Sequence, residues 1–444
     1  MSKPLSTLTA LEGLPDPQIA LRLLRRCLGF TKMVYSVRTV PPSAHLAALH
    51  AYDDAVRSTF IASTGIAPPD PSWALATRGF WCGGLGLRSA AGHAAAAYIA
   101  SRAATRHLCR EVDPLFTWEA QNEQSPLRTT LGALNARLPP SAQVDPMSEE
   151  WPRQQHFSKA LDQTDHEAFF ATLDQGDRAA LLSEMLPGAS GFLEAVPSKE
   201  LDLAWEPIEF TTELRARLLL THYQADSWCP LCDCVLDTKA RHCAKCGSGG
   251  DRVRRHHGAR NAVGRLAEDA GTNPELEKPE LLPPNPDQPN ADRRRPADVY
   301  LPTWFGGTPA ALDLAITSPH RQDVLPVSSS QVGAAAEAYE IYKRHYLNTE
   351  AACRAQGIAF VPMIAETSGG WGPSAMCTIK RLAKAAALRS DSDPGQILAA
   401  HLASLCSVIR RANARAILRR APEDSRGRPP EAALSALAAF VDVE

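Results

Sequence analysis

The densest constraint in the sequence is SWCPLCDCVLDTKARHCAKCGSGG, where Cys229, Cys232, Cys234, Cys243 and Cys246 crowd together, five of the chain's eleven cysteines. A disulfide framework spreads its cysteines over a fold, whereas a metal site gathers them. Cys229-x2-Cys232 makes one chelating turn, and His242-x3-Cys246 makes a second after nine intervening residues. Thiolate and neutral imidazole suit tetrahedral Zn²⁺, so the spacing predicts a Cys₃His zinc knuckle. Cys243 in place of His242 would give a four-cysteine site, and spacing leaves both open. So small a module buries little apolar surface, and the roughly 10–16 kcal/mol of zinc binding would decide whether it folds.

Directly beyond lies DRVRRHHGARNAVGRLAEDAG, a basic turn running into a helix ended by Gly271. Between Lys239 and Arg265 there are eight Lys or Arg against one acid, Asp251, although the whole chain is nearly balanced at 47 basic and 49 acidic side chains. The local excess is the electrostatic footprint expected of a nucleic-acid surface, with Arg252, Arg254, Arg255 and Arg260 as its candidate contacts. Glu268, near the end of the same helix, is expected to approach the acidic hairpin that follows.

That hairpin is RRRPADVYLPTWFGGTPAALDLAITSP, read as strands PADVYL and AALDLAI joined through Gly306 and Gly307, with Asp298 and Asp313 on neighbouring strands. Two carboxylates side by side can hold Mg²⁺ or Mn²⁺, which keeps several waters and activates one against a phosphate. The Pro-rich stretch before it reads as a strand and then a mobile loop, with Arg293 to Arg295 facing phosphates or solvent. After it, GIAFVPMIAET is the apolar run of a buried strand ending in Glu366, either a further ligand or a strand-end acid. SAMCTIKRLAKAAALRS and the long basic QILAAHLASLCSVIRRANARAILRR complete the region as helices.

The 444 residues suggest two or three domains. The N-terminal part is alanine-rich and reads as helices, the first with Asp16 as N-cap and Pro17 at its first position. Ala51-Tyr52-Asp53-Asp54 invites comparison with the paired aspartates of reverse transcriptases, but its flanks keep a helical period, which predicts a structural role. Gly83, Gly84 and Gly86 lack a following Lys-Ser or Lys-Thr, so they predict a turn before a helix rather than a phosphate loop. No run approaches eighteen apolar residues and the N-terminus lacks a secretory layout, giving the expectation of a soluble intracellular protein with no membrane partner.

The order of CxxC, HxxxC, RHHGARNAV, RRPADV, ALDLAITSP, a Lys-Tyr-bearing helix and AFVPMIAETSGGWG resembles the C-terminal part of non-LTR retrotransposon proteins, where a zinc knuckle precedes an endonuclease of the PD-(D/E)XK type. The resemblance covers roughly residues 228–389, and the N-terminal helices resemble the region after the polymerase in related proteins, without the polymerase palm. It implies an α/β restriction-endonuclease-like core with a small zinc knuckle, preceded by an all-helical N-terminal region. The expected divisions are a helical platform at 1–226, the knuckle at 227–250, the nuclease at 251–390 and a helical tail at 391–444. It further implies Asp298 and Asp313 as metal ligands and Lys343, displaced onto the following helix, as the motif lysine. Ala297 stands between Pro296 and Asp298, and Ala315 stands where the motif lysine would be. Tyr339 and Tyr346 share the helical face of Lys343, which is expected to turn toward the sheet and nucleic acid. The implied activity is a nick in target DNA that primes reverse transcription. The partners would be DNA, element RNA and a polymerase-bearing chain, and residence would be nuclear. The rival expectation is a remnant that binds nucleic acid through zinc without cutting it.

Overall fold

The computed structural model describes residues 2–148, 150–283 and 294–421. It is mostly helical, with helices preceding a small mixed sheet, and the chain divides into two units after Leu173.

The first unit is built from helices, including Pro17–Leu23, Leu46–Thr64, Ala90–Val112, Pro126–Asn135 and Gln154–Thr172. Asp16 caps the first of these, accepting from the backbone N–H of Gln18 at 2.8 Å and of Ile19 at 3.1 Å, with Pro17 leading the helix. Tyr52 is buried and donates to the Leu28 carbonyl. Asp53 accepts from the backbone N–H of Ala90 at 2.7 Å and Ala91 at 3.0 Å, holding the start of Ala90–Val112. The tetrapeptide that resembles a polymerase motif is thus a helix-to-helix clamp. The glycine turn before that helix is steric in origin: a Cβ on Gly84 would lie 2.2 Å from the Arg78 carbonyl oxygen. Ile99, Leu127, Leu131, Phe157 and Leu161 form the core between three of the helices.

The second unit opens with α1 (Gln175–Glu184) and α2 (Pro207–Arg217). A two-stranded hairpin follows, β1 (Ser227–Trp228) and β2 (Val235–Leu236), with the short α3 (Arg241–Lys245). Then come α4 (Asp251–Asp269), β3 (Glu275–Leu276), β4 (Val299–Leu301), β5 (Ala310–Thr317), α5 (Ala334–His345), β6 (Ala359–Glu366), α6 (Pro373–Ser390) and α7 (Pro394–Arg420). The sheet runs β3-β4-β5-β6, antiparallel up to β5 and parallel between β5 and β6, so α5 lies in the crossover. Strand alternation splits β5 between two cores. Leu312 and Leu314 join Val263 and Leu266 of α4, Ile379 of α6 and Ile409 of α7 on one face, while Ala311 meets Phe360 and Cys353 on the other.

Two expected divisions differ. The unit boundary falls at Leu173 rather than at 226, because α1 and α2 are tied into the second unit by a buried ionic network. Arg410 of α7 donates to Glu213 of α2 at 2.9 Å and to Glu184 of α1, and Arg217 reaches Glu184 at 2.5 Å. For the same reason α7 is no tail: Arg410 and Arg420 of this basic helix are fully buried. Arg293 and the chain from Pro422 lie outside the described residues.

Candidate metal centre and acidic site

The knuckle is built by its turns. Cys229 N–H donates to the Cys234 carbonyl at 2.9 Å, curling the first CxxC back on itself. Asp237 then accepts from the backbone N–H of Arg241 at 3.0 Å and His242 at 2.9 Å, fixing the start of α3. These turns bring one donor atom each from Cys229, Cys232, His242 and Cys246 within 4.8 Å of one another, a Cys₃His group that can hold zinc. His242 Nε2 lies 3.2 Å from Cys232 Sγ. The choice between His242 and Cys243 falls to geometry: Cys243 points away into a core with Leu236 and Ile417, its Sγ 3.5 Å from the Tyr223 hydroxyl. Cys234 is exposed.

The expected basic surface is largely spent on the fold. Lys239 and Arg241 both pair with Asp177 of α1. Arg255 is buried, giving its guanidinium to Asn413 at 2.6 Å and the Ala244 carbonyl at 2.7 Å, so it is not available to a phosphate. Arg260 pairs with Glu277 and keeps only 13% of its side chain exposed. Arg252 is exposed, and Arg254 is 72% exposed beside Asp251 at 3.7 Å. The helical period explains the division, because one face of α4 must cover the sheet and α7.

The acidic pair assembles at the junction of β4 and β5. Asp298 continues the ladder past Val299, its N–H donating to the Leu312 carbonyl at 2.9 Å, and its Oδ2 accepts the Leu314 N–H at 2.7 Å. One residue earlier on β5, Asp313 is 6% exposed, and Lys343 of α5 donates to its Oδ1 at 2.9 Å. Burial pushes the Asp313 carboxyl up to about 6, against the pull of Lys343, with Asp298 adding to the rise. Burial opposes the charge of Lys343, but the Asp313 carboxylate outweighs it and holds the lysine above its ordinary value. Among the described residues, Asp298 Oδ1 and Asp313 Oδ2 accept no hydrogen bond from protein.

A residue that the sequence reading passed over joins them. His256 Nε2 lies 3.3 Å from Asp298 Oδ2 and 3.2 Å from the Leu314 carbonyl oxygen. Its hydrogen bond to Asp298 raises the imidazole above its usual value. The signal was present: His256, Ala259, Val263 and Leu266 lie on the stripe of α4 that faces the sheet, so the histidine belongs to the inward face rather than to the basic run. A groove of about 440 Å³ is lined by Arg252, His256, His257, Leu314, Tyr339 and Lys343 among others; it reaches the acidic pair through His256 and Lys343, and neither acid is in its lining.

Two expected acids lie elsewhere. Glu366 ends β6 and is 1% exposed; its Oε1 accepts the Ala336 N–H at 3.2 Å, anchoring the first turn of α5, and burial raises its carboxyl. Glu268 is exposed on α4, twelve residues from His256, which is roughly 18 Å along a helix and too far to join the pair. Compared with known families and with curated proteins, this sequence matches none.

Proposed function

We propose that this chain is a metal-dependent DNA endonuclease with a restriction-like core, of a retrotransposon-like protein, which nicks target DNA to prime reverse transcription. The observation that carries the reading is the convergence of Asp298, Asp313 and Lys343 from three separate elements, with Lys343 and His256, the partner of Asp298, lining an open groove. The mixed sheet supports the restriction-like core, with one acid leading into β4, the other on β5 and the lysine on the crossover helix.

Asp298 Oδ1 and Asp313 Oδ2 would hold Mg²⁺ or Mn²⁺, and two carboxylate oxygens with room for water suit such hard ions. When bound, the ion would supply polarisation of the phosphate and acidify a water. Lys343 would orient the attacking water and offset the negative charge developing on the phosphate. His256 and the Leu314 N–H hold Asp298 in place. In the balanced step, the water oxygen adds to phosphorus while the bond from phosphorus to the 3′ oxygen breaks. The water's proton leaves to solvent and the departing oxygen takes one up, giving a 5′-phosphate and a 3′-hydroxyl. Arg252 and Arg254, with the zinc knuckle beside them in sequence, would position the duplex through its phosphates. Nuclear residence, element RNA and a polymerase-bearing partner follow from this substrate and belong to the same proposal.

The test is nicking of supercoiled plasmid by the full-length protein with Mg²⁺ or Mn²⁺, beside Asp313→Ala and Lys343→Ala at matched zinc content. Relaxed circles are expected from the unmodified protein, with losses of about a hundredfold or more in each variant. Equal DNA binding by all three proteins with no cutting by any would leave a zinc-dependent binding remnant instead.

A further inference from the structure

The proposed chemistry uses Lys343 but none of the aromatic side chains around it. Tyr339, Tyr342 and Tyr346 stand three and four residues apart, which puts them on one face of α5 and the turn that ends it, with Lys343 in the same stripe. Their ring centroids are 5.4 Å apart for the first pair and 5.3 Å for the second, within the range of direct aromatic contact. The stripe does not pack the fold: α5 buries Ala334, Ala335, Ala336 and Glu340, while Tyr342 and Tyr346 stay 49% and 48% exposed. Three large rings thus contact one another in sequence, with Tyr339 half-buried and Tyr342 and Tyr346 open to water.

We propose that this tyrosine stripe is a stacking platform for unpaired bases, so that the strand delivered to Asp313 is single-stranded or locally opened DNA. The inference rests on the reading of the substrate as DNA and adds its form. The charge around the stripe selects this occupant over an apolar protein surface. The Arg321 guanidinium lies 5.1 Å from the Tyr339 ring centroid, and Tyr339 and Lys343 line the groove that Arg252 also lines. Aromatic faces interleaved with cations match a strand whose bases are free and whose backbone is anionic. In a closed duplex both faces of each base are already stacked, so the rings would have nothing to grip. The platform also begins where Lys343 meets Asp313, so a base held on Tyr342, the residue before Lys343, places its neighbouring phosphate near the acids.

The test measures binding of a fluorescein-labelled oligothymidine and of a blunt duplex of equal length to the full-length, zinc-loaded protein without added Mg²⁺. Tyr342→Ala and Tyr346→Ala are each expected to weaken single-strand binding at least about fivefold, while Tyr342→Phe and all duplex affinities stay within about twofold, since stacking needs the ring and not the hydroxyl. Equal weakening on duplex and single strand, no weakening, or a Phe variant as poor as the Ala variant would each overturn the platform. Plasmid nicking by the same preparations separates the two readings. A single-strand defect without any cutting by the unmodified protein sinks the nuclease and keeps the platform, whereas normal cutting with flat binding does the reverse.

Discussion

The Cys₃His group and the acidic site are both gatherings of polar side chains, yet they are put together in opposite ways. The Cys₃His group comes from one short segment whose turns are closed by hydrogen bonds inside it, such as Asp237 to His242 N–H at 2.9 Å. The acidic site draws His256, Asp298, Asp313 and Lys343 from four different elements and depends on the sheet for its geometry. The first can only help its surroundings fold, since its ligands have little other role. The second buries charge against the interest of the fold, with Asp313 pushed up to about 6. The Cys₃His group, with zinc in it, is therefore expected to stabilise this protein, and the buried Asp313 carboxyl to cost it stability.

The largest effect should come from opening the knuckle. Cys232→Ser removes one of four ligands, and with structural zinc worth roughly 10–16 kcal/mol the segment should fail to retain metal and should unfold locally. Metal analysis should show about one zinc per chain in the unmodified protein and a small fraction of that in the variant. Hydrogen exchange should show protection lost across residues 227–250 and at the C-terminal end of α7, where Arg420 donates to the Ser248 carbonyl at 3.0 Å. Cys243→Ser is the control, since its thiol meets Tyr223 and Ile417, and it should keep its zinc. Zinc retained by Cys232→Ser and lost from Cys243→Ser would reverse the ligand set.

What was legible in the sequence follows the same division. The knuckle was readable because its ligands and turns are neighbours in the chain, and only the direction of Cys243 needed the fold. The hairpin was readable from its alternation and from Gly306 and Gly307, which take φ of 70° and 77° in the turn. Lys343 came from a resemblance rather than from spacing, since nothing local ties it to Asp313. The misreadings share a cause: tertiary partners decide what a polar side chain is for. Arg255 and Arg260 looked like a phosphate-binding run until Asn413, far off in sequence, and Glu277, beyond the end of the same helix, claimed them. Glu366, open in the sequence between a further ligand and a strand-end acid, ends β6 and holds the Ala336 N–H of α5, a partner thirty residues away that no local pattern announces.

A smaller effect of opposite sign should follow at Asp313. An unfolded aspartate releases its proton near 3.9, whereas the folded one holds it to about 6. Between those values the folded state binds more protons, so metal-free stability should fall as pH rises through that window, by about 3 kcal/mol in all. The fall is net of the help from Lys343. Asp313→Asn mimics the protonated acid, so urea unfolding without divalent metal should find it more stable by about 3 kcal/mol at pH 7 and little changed near pH 4. A variant less stable than the parent at pH 7 would break the contrast with Cys232→Ser.

The smallest effect belongs to His256 and falls in a different pH window. Its hydrogen bond to Asp298 raises the folded imidazole above the unfolded value near 6.5. The resulting stability is therefore fully present below that value and is lost as pH rises through the folded one. His256→Gln keeps a donor within reach of Asp298 or the Leu314 carbonyl but carries no charge, so it should cost about 1 kcal/mol near pH 5.5 and less at pH 8.5. The stability linked to Asp313 is already declining with pH below 6, so the double variant with Asp313→Asn separates the two by window. A His256→Gln penalty independent of pH would mean that the imidazole serves Asp298 only as a neutral donor, leaving Lys343 as the charged partner of the acidic pair.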